Sequence, residues 1–163
     1  MSPQDFIASL APAARASAEN TRIPASFVVA EGALESGWGT SRLAVEGFNL
    51  FGVKADASWH GPVLAMPTRE YLGGQWVMVP ANWRKYGDWL GSITDHASFL
   101  LENPRYQPAF ACTSGAAFAE AIAKAGYATD PQYAAKIASI IGTHGLDALD
   151  VPDAAGSDSA TPR

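Results

Sequence analysis

Between Gly61 and Tyr86 the sequence changes its period, and that change limits the folds open to the chain. Residues 63–72 and 75–86 are rich in valine, tryptophan and tyrosine, with only Gly73-Gly74 between them. A two-residue glycine link between such runs predicts a β-hairpin. Pro62, Pro67 and Pro80 interrupt it, and proline cannot donate to a ladder, so an irregular edge ribbon is expected. Both flanks carry helical spacing instead. Ser2 can cap a helix over residues 3–18 with Phe6, Leu10 and Ala14 as its apolar stripe, and a second helix is expected over 24–36, stopped by Gly37 and Gly39. After Tyr86, Asp88 and Ser114 can cap two more, and a last helix is expected from about Pro131. The reading is an α+β domain over residues 3–146, a helical body with one inserted hairpin lobe. Residues 147–163, poor in apolar side chains, are expected to form a disordered C-terminal tail.

Charge narrows the function. The 163 residues carry a net charge of −5, which argues against affinity for nucleic acid or anionic membranes and favours a neutral substrate. No apolar run reaches the ~20 residues of a membrane span, so no membrane insertion is expected. MSPQDFIASL has no basic n-region and Asp5 breaks its apolar stretch, so synthesis in the cytoplasm without a signal peptide is expected. Cys112 is the only cysteine, so no internal disulfide can form. His60, His96 and His144 lack metal-ligand spacing and read as surface or capping residues. No glycine-rich phosphate loop is present, and neither metal nor cofactor is expected.

The chemistry concentrates in EGALESGWG, residues 31–39. Glu31 and Glu35 are four apart, so on a helix they share a face with Phe27. Partial burial and a neighbouring like charge both raise a carboxyl pKa, as general acid catalysis near neutral pH requires. A solvated face for both glutamates is the competing reading. The glycines around Trp38 suit close approach of backbone to a ligand, with an aromatic face offered to it, and sugars bind by such stacking.

ALESGWGTSRLA, NLFGVKA (49–55), TREY (68–71), NPRY (103–106) and GYATDPQYAAKI (126–137) together resemble, in order, the motifs of glycoside hydrolase family 73, the peptidoglycan N-acetylglucosaminidases. The resemblance spans about residues 4–143 and implies a lysozyme-like fold. It implies Glu35 as catalytic acid, Glu70 as second carboxylate and Tyr127 as a tyrosine important for activity, with Trp38, Asn49, Phe51, Tyr71 and Tyr106 as substrate-binding positions. Plainer roles compete: Glu70 as an exposed residue paired with Arg69 or Lys85, Tyr127 as helix packing, NLFG as a tight turn. Where this chain has Glu31 the family more often has glutamine. Glu31 is therefore expected to raise the pKa of Glu35, unless it simply faces solvent.

An endo-β-N-acetylglucosaminidase acting as a monomer on peptidoglycan glycan strands is the function implied. A muramidase or lytic transglycosylase of the same fold is the first alternative, and a non-catalytic glycan-binding module the second. Without a leader, a phage endolysin working with a holin, an antibacterial effector with an immunity protein, or a phage tail component fits, in each case acting in the periplasm or on the cell wall after release or delivery.

Overall fold

The computed structural model describes residues 1–151. Helix α1 (Pro3–Thr21) starts where the sequence predicts, with the Ser2 hydroxyl accepting from the Asp5 N–H. It runs one turn further than residue 18, until Arg22 adopts a left-handed conformation and returns its N–H to the Ala18 carbonyl. Phe6, Leu10 and Ala14, spaced four apart, are its buried stripe.

Helix α2 (Ala25–Ser36) is the axis of the domain. Every residue from Ala25 to Ala33 is buried, because α1, α5 (Gly115–Lys124), α6 (Tyr133–His144) and the short helix Leu146–Asp150 all pack on it. A helix enclosed on all sides needs small residues: a Cβ on Gly32 would sit 3.2 Å from the Leu10 Cδ2. The helix ends in three successive left-handed residues, Gly37, Trp38 and Gly39. At Gly39 a side chain would collide with the rings of Phe6 (2.9 Å) and Trp89 (3.0 Å). The glycine there serves packing of the chain on itself, not the approach of a ligand.

The short helix α3 (Arg42–Gly47) leads through the Asn49 loop to the hairpin lobe. Strands β2 (Thr68–Leu72) and β3 (Gln75–Val79) pair antiparallel across Gly73-Gly74, both at positive φ as a type I′ turn requires. Strands β1 (Val63–Ala65) and β4 (Asn82–Arg84) form the stem. Pro67 and Pro80 separate the two ladders, so the expected irregularity falls at those prolines.

The body is completed by α4 (Trp89–Glu102), a 3-10 helix (Pro104–Ala111), α5 (Gly115–Lys124) and α6 (Tyr133–His144). Asp88 and Ser114 cap α4 and α5 as read from the sequence. Helix α6 begins two residues later than Pro131. The core joins α1, α2, α4, α5 and α6 through Phe6, Phe27, Leu100, Phe118 and Ile137.

Residues 147–150, expected at the start of the tail, are folded. Leu146–Asp150 is a further 3-10 helix, and the Asp150 carboxylate accepts from both the backbone N–H (2.9 Å) and the hydroxyl (2.6 Å) of Ser26 at the start of α2. The remainder of the expected tail, 152–163, lies outside the described residues.

Candidate active site

One face of α2 carries Phe27, Glu31 and Glu35 in turn, and the three end in different surroundings. Phe27 enters the core against Phe118. Glu31 is 1 % exposed yet forms part of a cleft wall, and Glu35, one turn on, is open to solvent in that same cleft. The cleft has a volume of about 530 Å³ and is also lined by Leu34, Phe51, Tyr127, Tyr133 and the Asp130–Lys136 ion pair.

Glu31 is held by two phenols. The Tyr127 hydroxyl donates to its Oε1 at 3.0 Å and the Tyr133 hydroxyl to its Oε2 at 2.5 Å. The Tyr127 oxygen also lies 2.7 Å from the Nε2 of His96, whose imidazole stacks on Phe51 with ring centres 4.1 Å apart. Burial dominates the electrostatics of this group. It pushes the Glu31 carboxyl up to about 8, helped by the charge of Glu35 and opposed by the two tyrosine hydrogen bonds. Burial also pushes His96 down to about 4 and both tyrosines well above their usual range. Near neutral pH, Glu31 is thus mostly protonated and His96 neutral.

Glu35 sits above the ordinary carboxylate range because the cleft walls withdraw it in part from water, although its side chain reaches solvent. The expected mechanism for that shift is therefore corrected. Burial raises Glu35, whereas a Glu31 that is itself protonated brings no like charge to bear. The solvated reading of Glu31 is excluded as well.

Other expected positions fall apart spatially. Glu70 lies on β2, pairs with Lys54 at 3.3 Å between exposed groups, and does not line the cleft. Tyr71 follows it on the strand, so the two side chains point to opposite faces and cannot address one cleft together. Tyr71 packs edge-on against Trp76, both about 60 % exposed. Trp38 is wedged between Phe6 and His144 and is absent from the cleft wall. Asn49 is buried and satisfied: its amide donates to the Val53 and Arg84 carbonyls and its Oδ1 accepts from the Val53 N–H. It ties the loop to the hairpin stem, with no group left for a ligand. Tyr106 is 1 % exposed and packs behind Tyr127. Of the substrate-binding positions inferred from sequence, Phe51 alone lines the cleft with Glu35.

Neither Tyr133 nor His96 carries a sequence signal for this site. Tyr133 occupies an apolar position of α6 and reads as core. His96 follows the helical stripe of α4 and is buried, correcting its reading as a surface or capping residue. Cys112 is half-buried and lines a separate depression of about 610 Å³, which no histidine lines. Among the described residues no cluster of three or more His, Cys, Asp or Glu could hold a metal, and no helix is long and apolar enough to cross a membrane.

Comparison with known proteins identifies the family. A family model described as mannosyl-glycoprotein endo-β-N-acetylglucosaminidase matches residues 11–146. The peptidoglycan hydrolase FlgJ of Salmonella typhimurium (strain LT2) is 41% identical over 142 residues, which cover 85% of this chain and 45% of that protein. The exo-glucosaminidase LytG of Bacillus subtilis (strain 168) is 36% identical over 152 residues, covering 90% and 53%. The chain thus spans about half the length of these curated relatives. The solved C-terminally truncated glycoside hydrolase domain of Salmonella typhimurium FlgJ superposes with a TM-score of 0.77 at 38% identity, covering 88% of this chain and 98% of that one.

Proposed function

The chain belongs to the endo-β-N-acetylglucosaminidase family whose model it matches, and from that premise we propose that it hydrolyses peptidoglycan glycan strands after N-acetylglucosamine, with Glu35 as general acid. The observation that carries the reading is the placement of Glu35. A carboxyl with a raised pKa stands in a cleft walled by tyrosines, where it can be protonated yet reach a ligand. Glu35 gives its proton to the glycosidic oxygen as the C1–O bond breaks. Water then adds to C1; its proton passes to the second carboxylate in the first route below and back to Glu35 in the second.

Glu70 is proposed as the second carboxylate, reaching C1 by movement of the hairpin. The exposed Lys54 pair that holds it contributes at most about 1 kcal/mol, so releasing it costs little. Tyr127, already in the cleft, supports a second route, in which the acetamido oxygen of the substrate closes on C1 and the phenol faces the developing cation. A fall in kcat of about 100-fold in Glu70→Gln supports the first route, and a kcat near wild type the second. Both place the domain on the cell wall.

Glu35→Gln tests the whole reading. Turnover of purified wall should fall at least ~100-fold while sedimentation with wall is retained. Wild-type protein that binds wall and never cuts it would make this a binding module instead.

A further inference from the structure

We propose that Glu31 is a positioning residue for Tyr127: from the buried wall of the cleft its carboxyl fixes the direction of the Tyr127 hydroxyl, which His96 holds from the other side. This rests on the reading that Tyr127 serves cleavage at Glu35. The Tyr127 ring is seated by Tyr106, Tyr133 and His96, with ring centres 5.8, 5.5 and 6.0 Å away. Such packing locates the ring but leaves the O–H free to turn about its bond to carbon. Only polar partners set its direction, and two are present: Glu31 Oε1 at 3.0 Å and His96 Nε2 at 2.7 Å.

Both partners are themselves fixed. Glu31 stands on the most enclosed helix of the domain and is gripped at its second oxygen by Tyr133. His96 lies flat on Phe51, the planes 9° apart. When the Tyr127 hydroxyl donates to Glu31, His96 must donate its Nε2–H to the phenol oxygen, which selects one imidazole tautomer. The phenol then has its proton committed and one lone pair occupied. Its remaining capacity is as an acceptor, suited to an amide N–H or to positive charge developing at C1, and unsuited to an oxyanion. Glu31 thus acts through Tyr127 and without touching substrate.

The test is a double-mutant cycle read in kcat and KM on peptide-free glycan strands, with thermal unfolding midpoints of every variant. Glu31→Leu should lower kcat about 10-fold with KM within about two-fold of wild type, because orientation is lost while binding is kept. Added to Tyr127→Phe, the same change should cause no further loss, since the hydroxyl it orients is gone. Glu31→Gln, whose carboxamide oxygen can still accept from Tyr127, should recover most of the lost kcat. Glu31→Met is measured alongside, so that the cycle closes if the leucine variant fails to fold. An equal loss with and without the Tyr127 hydroxyl would mark a merely structural residue and overturn the proposal. An impaired Tyr127→Phe beside an unimpaired Glu31→Leu overturns the proposal alone, whereas wild-type kcat in Tyr127→Phe overturns the role of Tyr127 and the proposal with it.

Discussion

Burying Glu31 should leave a signature in stability that depends on pH and vanishes in Glu31→Gln. In the folded protein the carboxyl titrates at about 8, in the unfolded chain near 4.5. Below 4.5 both states hold the proton and Glu31 makes no difference between them. Between 4.5 and 8 the folded state keeps a proton that the unfolded state releases, so stability falls as pH rises. A shift of that size corresponds to roughly 5 kcal/mol at 1.36 kcal/mol per unit, a large share of the ~5–15 kcal/mol typical of a domain. His96 adds a slope of opposite sign. Its folded value of about 4 lies below the unfolded 6.5, so stability is lost as pH falls through that window. The substitution leaves this term in place, and the difference between the two proteins isolates Glu31. Urea unfolding at pH 4.5, 6 and 8 is the assay. The midpoint of Glu31→Gln should gain on wild type by roughly 2 M across the range, for an m-value of about 2 kcal/mol/M. A constant offset hides nothing, because only the change with pH counts. Parallel midpoints at all three values would refute the argument that burial keeps Glu31 protonated.

In the proposed role Glu35 acts in its protonated form, and its raised pKa keeps that form to higher pH than an ordinary glutamate allows; a pH–rate profile whose basic limb falls in the ordinary glutamate range would contradict this. Asn49→Ala removes three hydrogen bonds of a buried amide, one of them to the Arg84 carbonyl of the hairpin stem, and should cost about 3 kcal/mol, lowering Tm by roughly 6–12 °C. A change of Tm under about 2 °C would show that those bonds do not hold the stem. Gly39→Ala meets both a positive φ and the rings of Phe6 and Trp89, so a loss of about 2 kcal/mol or more is expected in equilibrium unfolding, and a stable variant would mean that the turn yields.

Local chemistry in the sequence carried far. Ser2, Asp88 and Ser114 cap the helices assigned to them, and Gly73-Gly74 turns the hairpin, because caps and two-residue turns depend on neighbours in the chain. The face shared by Glu31 and Glu35 follows from helical spacing alone. What spacing cannot supply is the environment of each side chain. Glu31 and Glu35 are equivalent on a helical wheel, yet α6 and the loop after α5 close over one and leave the other open. Trp38 looks like an offered aromatic until α1 and α6 are folded around it. Tyr133 looks apolar-facing and His96 like a surface or capping residue; that Tyr133 meets a buried carboxyl, and His96 the phenol bound to it, is a fact of the third dimension. The order of residues 147–150 is hidden from the sequence for a similar reason, since Asp150 meets a partner, Ser26, that lies far away in the chain.

The central claim is that Glu35 cleaves glycan after N-acetylglucosamine, and the identity of the new chain end tests it most directly. Purified peptidoglycan digested with the protein, reduced with borohydride and analysed by mass spectrometry should show reduced N-acetylglucosamine ends, which Glu35→Gln does not generate. Reduced or anhydro muramic ends from the wild-type protein would contradict the account.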